Sequence, residues 1–419
     1  MADLYERLRR IREQQRRGAG SSGGSAVARS ASAGVPRVVP PGPEWQERSP
    51  GVYYRSLSEA LPRRYAHQIS PGGVWGGLSP VFRAGETCLP LFLDVETSGL
   101  SGGSGSVAFL VGVGRFEGGD PGGSAPRLRV EQLFLADLGA EGGYVGELHR
   151  LLGESPCYVT YNGASFDIPV LRTRAIMTRR VLPEDRHLDL LPVTRRLFSP
   201  VIGSCRLSLV EEAVLGLRRH EDIPGSQVPE RYQEYLRRGD PRVISSVLAH
   251  HVYDILHLAF LALHLNEVLS LSPPPPGAGE GPAGPVSGPD EAARLRLLWE
   301  RGSSADRDLV AERVQDLLAS PDGRCSSLGQ GLADLQILIA RSRQDWSALE
   351  SALWLLYRQR GSRGDAVALA KFLEHRQGRF CQALQVVITA AELRGWDPDL
   401  EHRAARLRRK IERFGEQKT

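Results

Sequence analysis

Apolar positions along the chain follow two regimes, an alternating one and a helical one, and the change between them divides the molecule. The segments Leu89-Pro-Leu-Phe-Leu-Asp-Val-Glu96, Val107-Ala-Phe-Leu-Val-Gly-Val-Gly114 and Val130-Glu-Gln-Leu-Phe-Leu135 read as strands, and the Gly and Ser residues between the first two suit a tight antiparallel connection. Helical spacing follows at Tyr144 to Leu152, a strand at Cys157 to Tyr161, a helix at Phe166 to Met177, a strand-like segment at His187 to Leu191, and a long helix from about Pro241 to Leu269. Three strands in a meander followed by alternating helices and strands predict an α/β fold, a mixed sheet flanked by helices.

Beyond Pro289 the pattern is helical throughout. Apolar positions at Leu335, Leu338, Trp346, Leu349, Leu353 and Leu356 recur thirty-four positions later at Leu369, Phe372, Phe380, Ala383, Val387 and Ala390, the period of the tetratricopeptide repeat. Leu349 and Leu356 stand where the repeat prefers alanine, and a generic antiparallel helix array would give similar amphipathic faces. The expectation is a C-terminal all-α, helical-repeat domain.

The remaining segments are tails and tethers. Residues 1–17 carry a basic amphipathic helix pattern, with Leu4, Leu8 and Ile11 on one stripe and arginines around it; it can dock on an anionic surface or fray as a solvated terminus. Residues 18–44 are a Gly/Ser/Pro tether, residues 45–269 a folded unit, residues 270–290 a Pro/Gly-rich linker and residues 291–419 the helical domain. Of 53 basic residues only Lys371, Lys410 and Lys418 are lysine, a bias better attributed to a GC-rich genome than to a binding requirement. Net charge is +4, too weak to imply a phosphate-bearing partner by itself. Cys88, Cys157, Cys205, Cys325 and Cys381 lack the close pairs of a zinc site or disulfide scaffold, and no apolar run of membrane-span length or secretory signal is evident. These features predict a cytoplasmic protein with reduced thiols and no membrane association.

Chemistry enters with Asp94 and Glu96. Alternate side chains of a strand share a face, so the two carboxylates lie on one patch while Leu93 and Val95 enter the opposite layer. Paired anions repel, and a hard divalent cation with oxygen ligands is the usual remedy. Asp167, in Tyr161-Asn-Gly-Ala-Ser-Phe-Asp167, falls near a helix N-terminus, where an anion is favoured even without chemistry. Asp254 sits in an apolar helix and needs a partner, and His250, four residues earlier, shares its face.

In this order Asp94, Glu96, Asp167 and Asp254 resemble the DEDD set of the ribonuclease H-like, DnaQ-like 3′–5′ exonuclease superfamily. The motifs matched are Asp94-Val-Glu-Thr97, Asn162-x-x-x-Phe166-Asp167 and His250-x-x-x-Asp254, over about residues 86–268. The YprB-like bacterial branch is similar in further detail, at His187-Leu-Asp-Leu-Leu191, Leu207-Ser-Leu-Val-Glu-Glu-Ala-Val-Leu-Gly216, Asp222-Ile-Pro-Gly225 and His250-His-Val-Tyr-Asp-Ile-Leu256. That branch also tends to carry tetratricopeptide-like helices after the nuclease-like domain.

The resemblance implies phosphodiester hydrolysis of DNA or RNA with two divalent cations, Mg²⁺ or Mn²⁺, held by Asp94, Glu96, Asp167 and Asp254. It assigns His250 as the general base, although the family places histidine five residues before the last aspartate, or tyrosine four before it. Here Ala249 takes the histidine position and His250 the tyrosine spacing, leaving His251 and Tyr253 as other candidates. Thr97 and Leu100 would line the terminal nucleotide, and Asn162 and Phe166 would add polar and stacking contacts; local packing accounts for Leu100 and Phe166 equally well. Asp189 is either an outer carboxylate or a helix cap. Arg172-Thr-Arg174, Arg179-Arg180 and Arg403 to Lys410 can contact phosphates or simply be solvated. The competing class is an inactive ribonuclease H-like scaffold that acts through nucleic-acid binding or through a protein partner on the helical domain.

Overall fold

A computed structural model describes residues 39–61, 65, 68–69, 78, 90–99, 105–118, 125–153, 157–183, 186–219, 222–271, 287–320 and 327–414. The N-terminal basic helix, most of the first tether, Leu100, Cys88 and Cys325 lie outside the described residues. The chain divides into two compact units, Met1–Gly288 and Pro289–Thr419.

In the first unit seven strands form one sheet: β1 (Gln46–Ser49), β2 (Val52–Ala60), β3 (Pro90–Thr97), β4 (Ala108–Glu117), β5 (Arg127–Leu135), β6 (Cys157–Thr160) and β7 (Arg186–Asp189). Their order is β1-β2-β5-β4-β3-β6-β7. Pairings from β1 to β3 are antiparallel, whereas β3–β6 and β6–β7 are parallel. Parallel neighbours need a crossover, and α1 (Glu141–Leu152) and α2 (Asp167–Met177) lie before and after β6. After β7 come α3 (Leu190–Ile202), a short α4 (Leu207–Val210) continuing as a π turn over Glu211–Leu215, α5 (Val228–Arg238) and α6 (Pro241–Val268). The mixed sheet with flanking helices is the fold class expected from the apolar periods. Strands β1 and β2 and helices α3 and α5 are additions to that expectation.

Leu91, Leu93, Val95, Phe109, Val111, Val113 and Leu133 form a core with α1, α2 and α5. Tyr232 of α5 stacks on Phe109 at 3.8 Å between ring centroids and donates its hydroxyl to the Leu135 carbonyl. The chain alternates, so the row carrying Asp94 faces the other way, and there α6 is laid down. Cross-strand neighbours place Asp94 beside Gly112, Gly112 beside Gln132 and Gln132 beside Arg55. Gly112 is small because α6 approaches there: a Cβ would stand 2.2 Å from Ile255 Cδ1 and 2.3 Å from His251 Cε1. By length and composition α6 is apolar enough to cross a membrane, contrary to the sequence expectation that no run is long enough, yet 83% of its most apolar stretch is buried within this unit. It is a core helix.

The second unit contains α7 (Glu291–Arg301), α8 (Ser304–Ala319), α9 (Ser327–Arg343), α10 (Trp346–Gln359), α11 (Arg363–His375), α12 (Phe380–Arg394) and α13 (Pro398–Phe414). Leu353, Leu369, Leu373, Val387, Leu400 and Leu407 share one core across α10 to α13. Ser303 and Ser362 cap α8 and α11 with reciprocal Asp306 and Asp365 capping boxes, which fix two of the helix starts.

Gly112→Ala is expected to lower the stability of the first unit by about 1–3 kcal/mol, since the intruding methyl meets a helix pinned by a hydrogen-bonded imidazole. Urea unfolding with an unchanged slope would read it; an unchanged midpoint would mean that α6 can lift from β4 without cost.

Candidate metal centre

Three elements, β3, α2 and α6, carry the acidic residues. The β3 pleat turns Asp94 and Glu96 to one face, with Thr97 and Val95 buried on the other. A bulge between β3 and β4 falls at Glu96/Thr97. After β6 the chain turns through Asn162, which adopts a left-handed φ of 68°, and Gly163, whose Cβ would sit 2.4 Å from the Thr160 hydroxyl. Asp189 holds this turn: its carboxylate accepts from the amides of Asn162 (2.8 Å) and Ala164 (3.1 Å), and also caps α3 through Leu191 (3.0 Å). Its role is that of a cap. The turn delivers Asp167 as the first residue of α2, 5% exposed.

Helix α6 supplies the rest. Gln132 donates to His251 Nδ1 at 2.7 Å, so Nε2 carries the proton and donates to the Asp94 carbonyl at 3.1 Å. Arg55 Nε donates to Gln132 Oε1 at 2.6 Å, and Arg55 and Gln132 both donate to the Leu248 carbonyl at 3.2 Å. Burial pushes the His251 imidazole down to about 4, so it is neutral. This chain of bonds sets the rotation of α6 and presents His250 and Asp254 to the carboxylates of β3.

There His250 Nε2 lies 3.2 Å from Asp254 Oδ2 and 3.9 Å from Glu96 Oε1. Glu96, His250 and Asp254 each offer one donor atom, and the three donors lie within 4.8 Å of one another. Behind them is a residue that the sequence reading missed. The Arg219 guanidinium, 7% exposed, donates to Asp254 Oδ1 at 2.5 Å, to Asp222 Oδ2 at 3.2 Å and to both oxygens of Glu211. Asp222 Oδ1 accepts from His250 Nδ1 at 2.7 Å, and His257 closes on Glu211 at 3.2 Å.

Electrostatics follow from this crowding. Burial and then the charges of Asp254, Asp167 and Glu96 push the Asp94 carboxyl well above its ordinary value, with Arg219 opposing. Burial raises Glu96 to about 7, with His250 pulling against it, and burial with Glu96 raises Asp167 to about 8. Burial would raise Asp254 too, but His250 and Arg219 hold it below the usual range. His250 is lifted to about 9, because Asp254, Asp222 and Glu96 outweigh burial. Both nitrogens of His250, expected as the general base, meet carboxylates: Nδ1 meets Asp222, and Nε2 faces Asp254 and Glu96. The donor set of carboxylates and an imidazole, crowded enough to hold protons, fits a divalent cation.

Other expected residues fall elsewhere. The Thr97 hydroxyl donates to the Gly99 carbonyl at 2.6 Å, and the residue is buried. Asn162 is exposed and Phe166 half-buried beside Asp167; Leu100 lies outside the described residues. Arg174 forks onto Glu141 within the fold, and Arg403, Arg406 and Lys410 converge on Glu374, so these cations are engaged internally. Arg172, Arg179 and Arg180 are exposed.

The class of protein follows from comparison. A family model described as RNase_H superfamily matches residues 91–266, the stretch from β3 to α6 that builds the acidic site. The chain is also 30% identical over 350 residues to the uncharacterized protein YprB of Bacillus subtilis (strain 168), an alignment covering 76% of this chain and 74% of that protein. The chain belongs to the same family as YprB, and its residues 91–266 form an RNase H superfamily domain, which suggests a nuclease.

The acidic site should leave a signature in stability. Carboxyls of the unfolded chain titrate near 4, so between about pH 4 and 8 the folded, metal-free protein binds more protons than the unfolded chain, and its stability falls as pH rises. His250 acts in the same sense: its contribution is complete below its unfolded value of about 6.5 and is lost as pH rises through about 9. Asp254 and Asp222, both held low, lose their contribution only on the acid side, below about pH 4. Thermal melts in EDTA are expected to give a higher Tm at about pH 5.5 than at pH 8.5, with Mn²⁺ raising Tm most at the alkaline end. A metal-free Tm that climbs towards pH 8.5 would contradict the crowding.

Proposed function

We propose that this protein is a metal-dependent nuclease of DEDD type that releases nucleotides from 3′ ends of DNA or RNA. The observation that carries the reading is the gathering of Asp94, Glu96, Asp167 and Asp254 within reach of one another's charges from a strand and two helices, with Glu96 and Asp167 raised to about 7 and 8, chiefly by burial. Two divalent cations, when bound, supply activation of a water, orientation of the scissile phosphate and neutralisation of the leaving oxygen. The chain's own part is to hold that acidic set rigidly. Asp94 feels the charges of Asp254, Asp167 and Glu96, Asp167 is presented at a helix start, and these four carboxylates would hold the cations. Exposed Asn162 and half-buried Phe166 stand beside Asp167, where a polar contact and a stacking contact to a terminal nucleotide are both within the side chains' chemistry.

For the second unit we adopt the tetratricopeptide-like reading, with a protein partner as its ligand. Helices α10 and α12 open with Trp346 and Phe380 thirty-four positions apart, which supports it. A groove of about 520 Å³ runs along α10 and α11, floored by Leu349, Leu353 and Val367 and rimmed by Arg341, Lys371 and Arg376. Its lining includes no carboxylate, so an acidic peptide with an apolar side chain complements it.

One observation favours the inactive-scaffold alternative: Arg219 already neutralises Asp254. Hydrolysis of end-labelled single-stranded DNA, RNA and duplexes with Mg²⁺ or Mn²⁺ separates the two. We expect metal-dependent release of 3′ nucleotides, reduced at least ~100-fold in Asp94→Ala and Asp167→Ala. Cleavage no greater than that of the variants, on every substrate, would select the scaffold.

A further inference from the structure

We propose that His250 is a metal ligand, its Nε2 joining Glu96 and Asp254 Oδ2 around one divalent cation, and that this position prefers a nitrogen-seeking ion such as Mn²⁺ or Zn²⁺ over Mg²⁺. The inference rests on the metal-dependent reading of the site but not on nuclease activity. Ligand bonds of about 2.0–2.2 Å place neighbouring donors about 3 Å apart and opposite donors a little over 4 Å apart. The separations from Nε2, 3.2 Å to Asp254 and 3.9 Å to Glu96, fall in that range, and all three donors lie within 4.8 Å of one another.

The atoms facing away from this point are as informative as those facing it. Asp222 Oδ1 lies 2.7 Å from His250 Nδ1, closer than Arg219 Nη1 at 3.2 Å, and a carboxylate can only accept, so Nδ1 donates and the neutral ring keeps its lone pair on Nε2. Arg219 occupies Asp254 Oδ1, leaving Oδ2 towards Nε2. Asp222 is itself tied, by Arg219 at Oδ2 and by the Ile223 amide at Oδ1. The outward nitrogen of the imidazole and the outward oxygen of Asp254 thus each have a partner, and the remaining donors converge. Carboxylate–imidazole pairs of this kind fix ring tautomer and orientation at metal centres, and their loss weakens metal affinity about 10–100-fold.

Imidazole favours later first-row ions, whereas all-oxygen sets suit Mg²⁺. The centre is therefore asymmetric: a nitrogen-containing position at Glu96, His250 and Asp254, beside an all-oxygen group at Asp94 and Asp167. Asp222 and Arg219 are positioning residues in this arrangement.

The test uses the full-length protein freed of metal. Mn²⁺ is added and read by electron spin-echo modulation, which detects a directly bound nitrogen. That modulation is expected in the wild type and absent in His250→Gln. Calorimetric titration should show His250→Gln weakening Mn²⁺ and Zn²⁺ about 10–100-fold, with Asp222→Asn falling between it and wild type. Mg²⁺ affinity should move by no more than about 3-fold. Mn²⁺ bound by the wild type without nitrogen modulation overturns the assignment, and so does equal weakening of Mg²⁺ and Mn²⁺. The wild-type spectrum decides the matter even if a variant folds poorly. Nitrogen-coupled Mn²⁺ in a protein that cleaves no nucleic acid would remove the nuclease and leave the ligand in place. Mn²⁺-dependent cleavage without nitrogen coupling would do the reverse.

Discussion

The acidic site depends on one buried hydrogen-bond chain, Arg55–Gln132–His251–Asp94, that locks α6 onto the sheet. Helices usually pack on sheets through apolar contact, which is tolerant of rotation and sliding. A polar row is not tolerant, since each unmade bond in a buried setting costs about 1–3 kcal/mol. Gln132 spends its carbonyl on Arg55 and its amide on Leu248 and His251, so a shift of α6 in either direction orphans a buried group. Gly112 makes room for the ring beneath the helix. The consequence is positional: the same imidazole that clamps α6 bonds to the backbone of Asp94, so the helix and strand that carry the carboxylates are indexed to each other directly.

Against this rigid frame the carboxylates are arranged in mutual conflict. Asp94, Glu96 and Asp167 are enclosed near one another and lifted towards the protonated state, while Arg219 and His250 supply the cations on the Asp254 side. A purely structural cluster would relax by dispersing the charges or by pairing each with an arginine, as the Glu374 cluster of the second unit does with Arg403, Arg406 and Lys410. The two clusters are useful opposites. Glu374 is surrounded by cations and held low; the β3 carboxylates are surrounded by each other and held high. Retaining the second arrangement costs stability, and a ligand that brings positive charge removes that cost.

How far this was legible depends on the length scale of each signal. Asp94 and Glu96 are fixed on one face by a two-residue period, and His250 and Asp254 on one face by a four-residue offset, so local rules suffice for both. Asp167 was readable because a turn motif precedes a helix. Strand β2 is hard to read because Val52-Tyr-Tyr-Arg-Ser-Leu-Ser-Glu-Ala60 does not alternate cleanly: Arg55 and Glu59 are buried, and Arg55 finds Gln132 on a distant segment. Arg219 was hidden for a different reason. Arginine stands for nearly every basic residue in this chain, so its count was set aside, and nothing local distinguishes a guanidinium buried among Glu211, Asp222 and Asp254 from one in solvent. Thr97 is the converse case: motif position alone suggests substrate contact, while its hydroxyl has a local partner at the Gly99 carbonyl.

The neighbouring residues His250 and His251 condense the logic of the site. They are the same side chain one position apart, yet one is raised to about 9 and the other lowered to about 4. A helix turns about 100° per residue, so adjacent positions face different surroundings while positions 250, 254 and 257 stay near one face. That face meets Glu96, Arg219 and Glu211; the face of His251 and Ile255 meets the glycines of β4. Burial alone makes His251 a neutral, fixed donor. Burial opposes charge on His250 too, but Asp254, Asp222 and Glu96 outweigh it and make the ring cationic unless another cation takes the place of its proton. Whether a histidine on α6 serves structure or chemistry is thus decided by what the sheet and the Arg219 segment bring to it, and no reading of α6 alone can assign it.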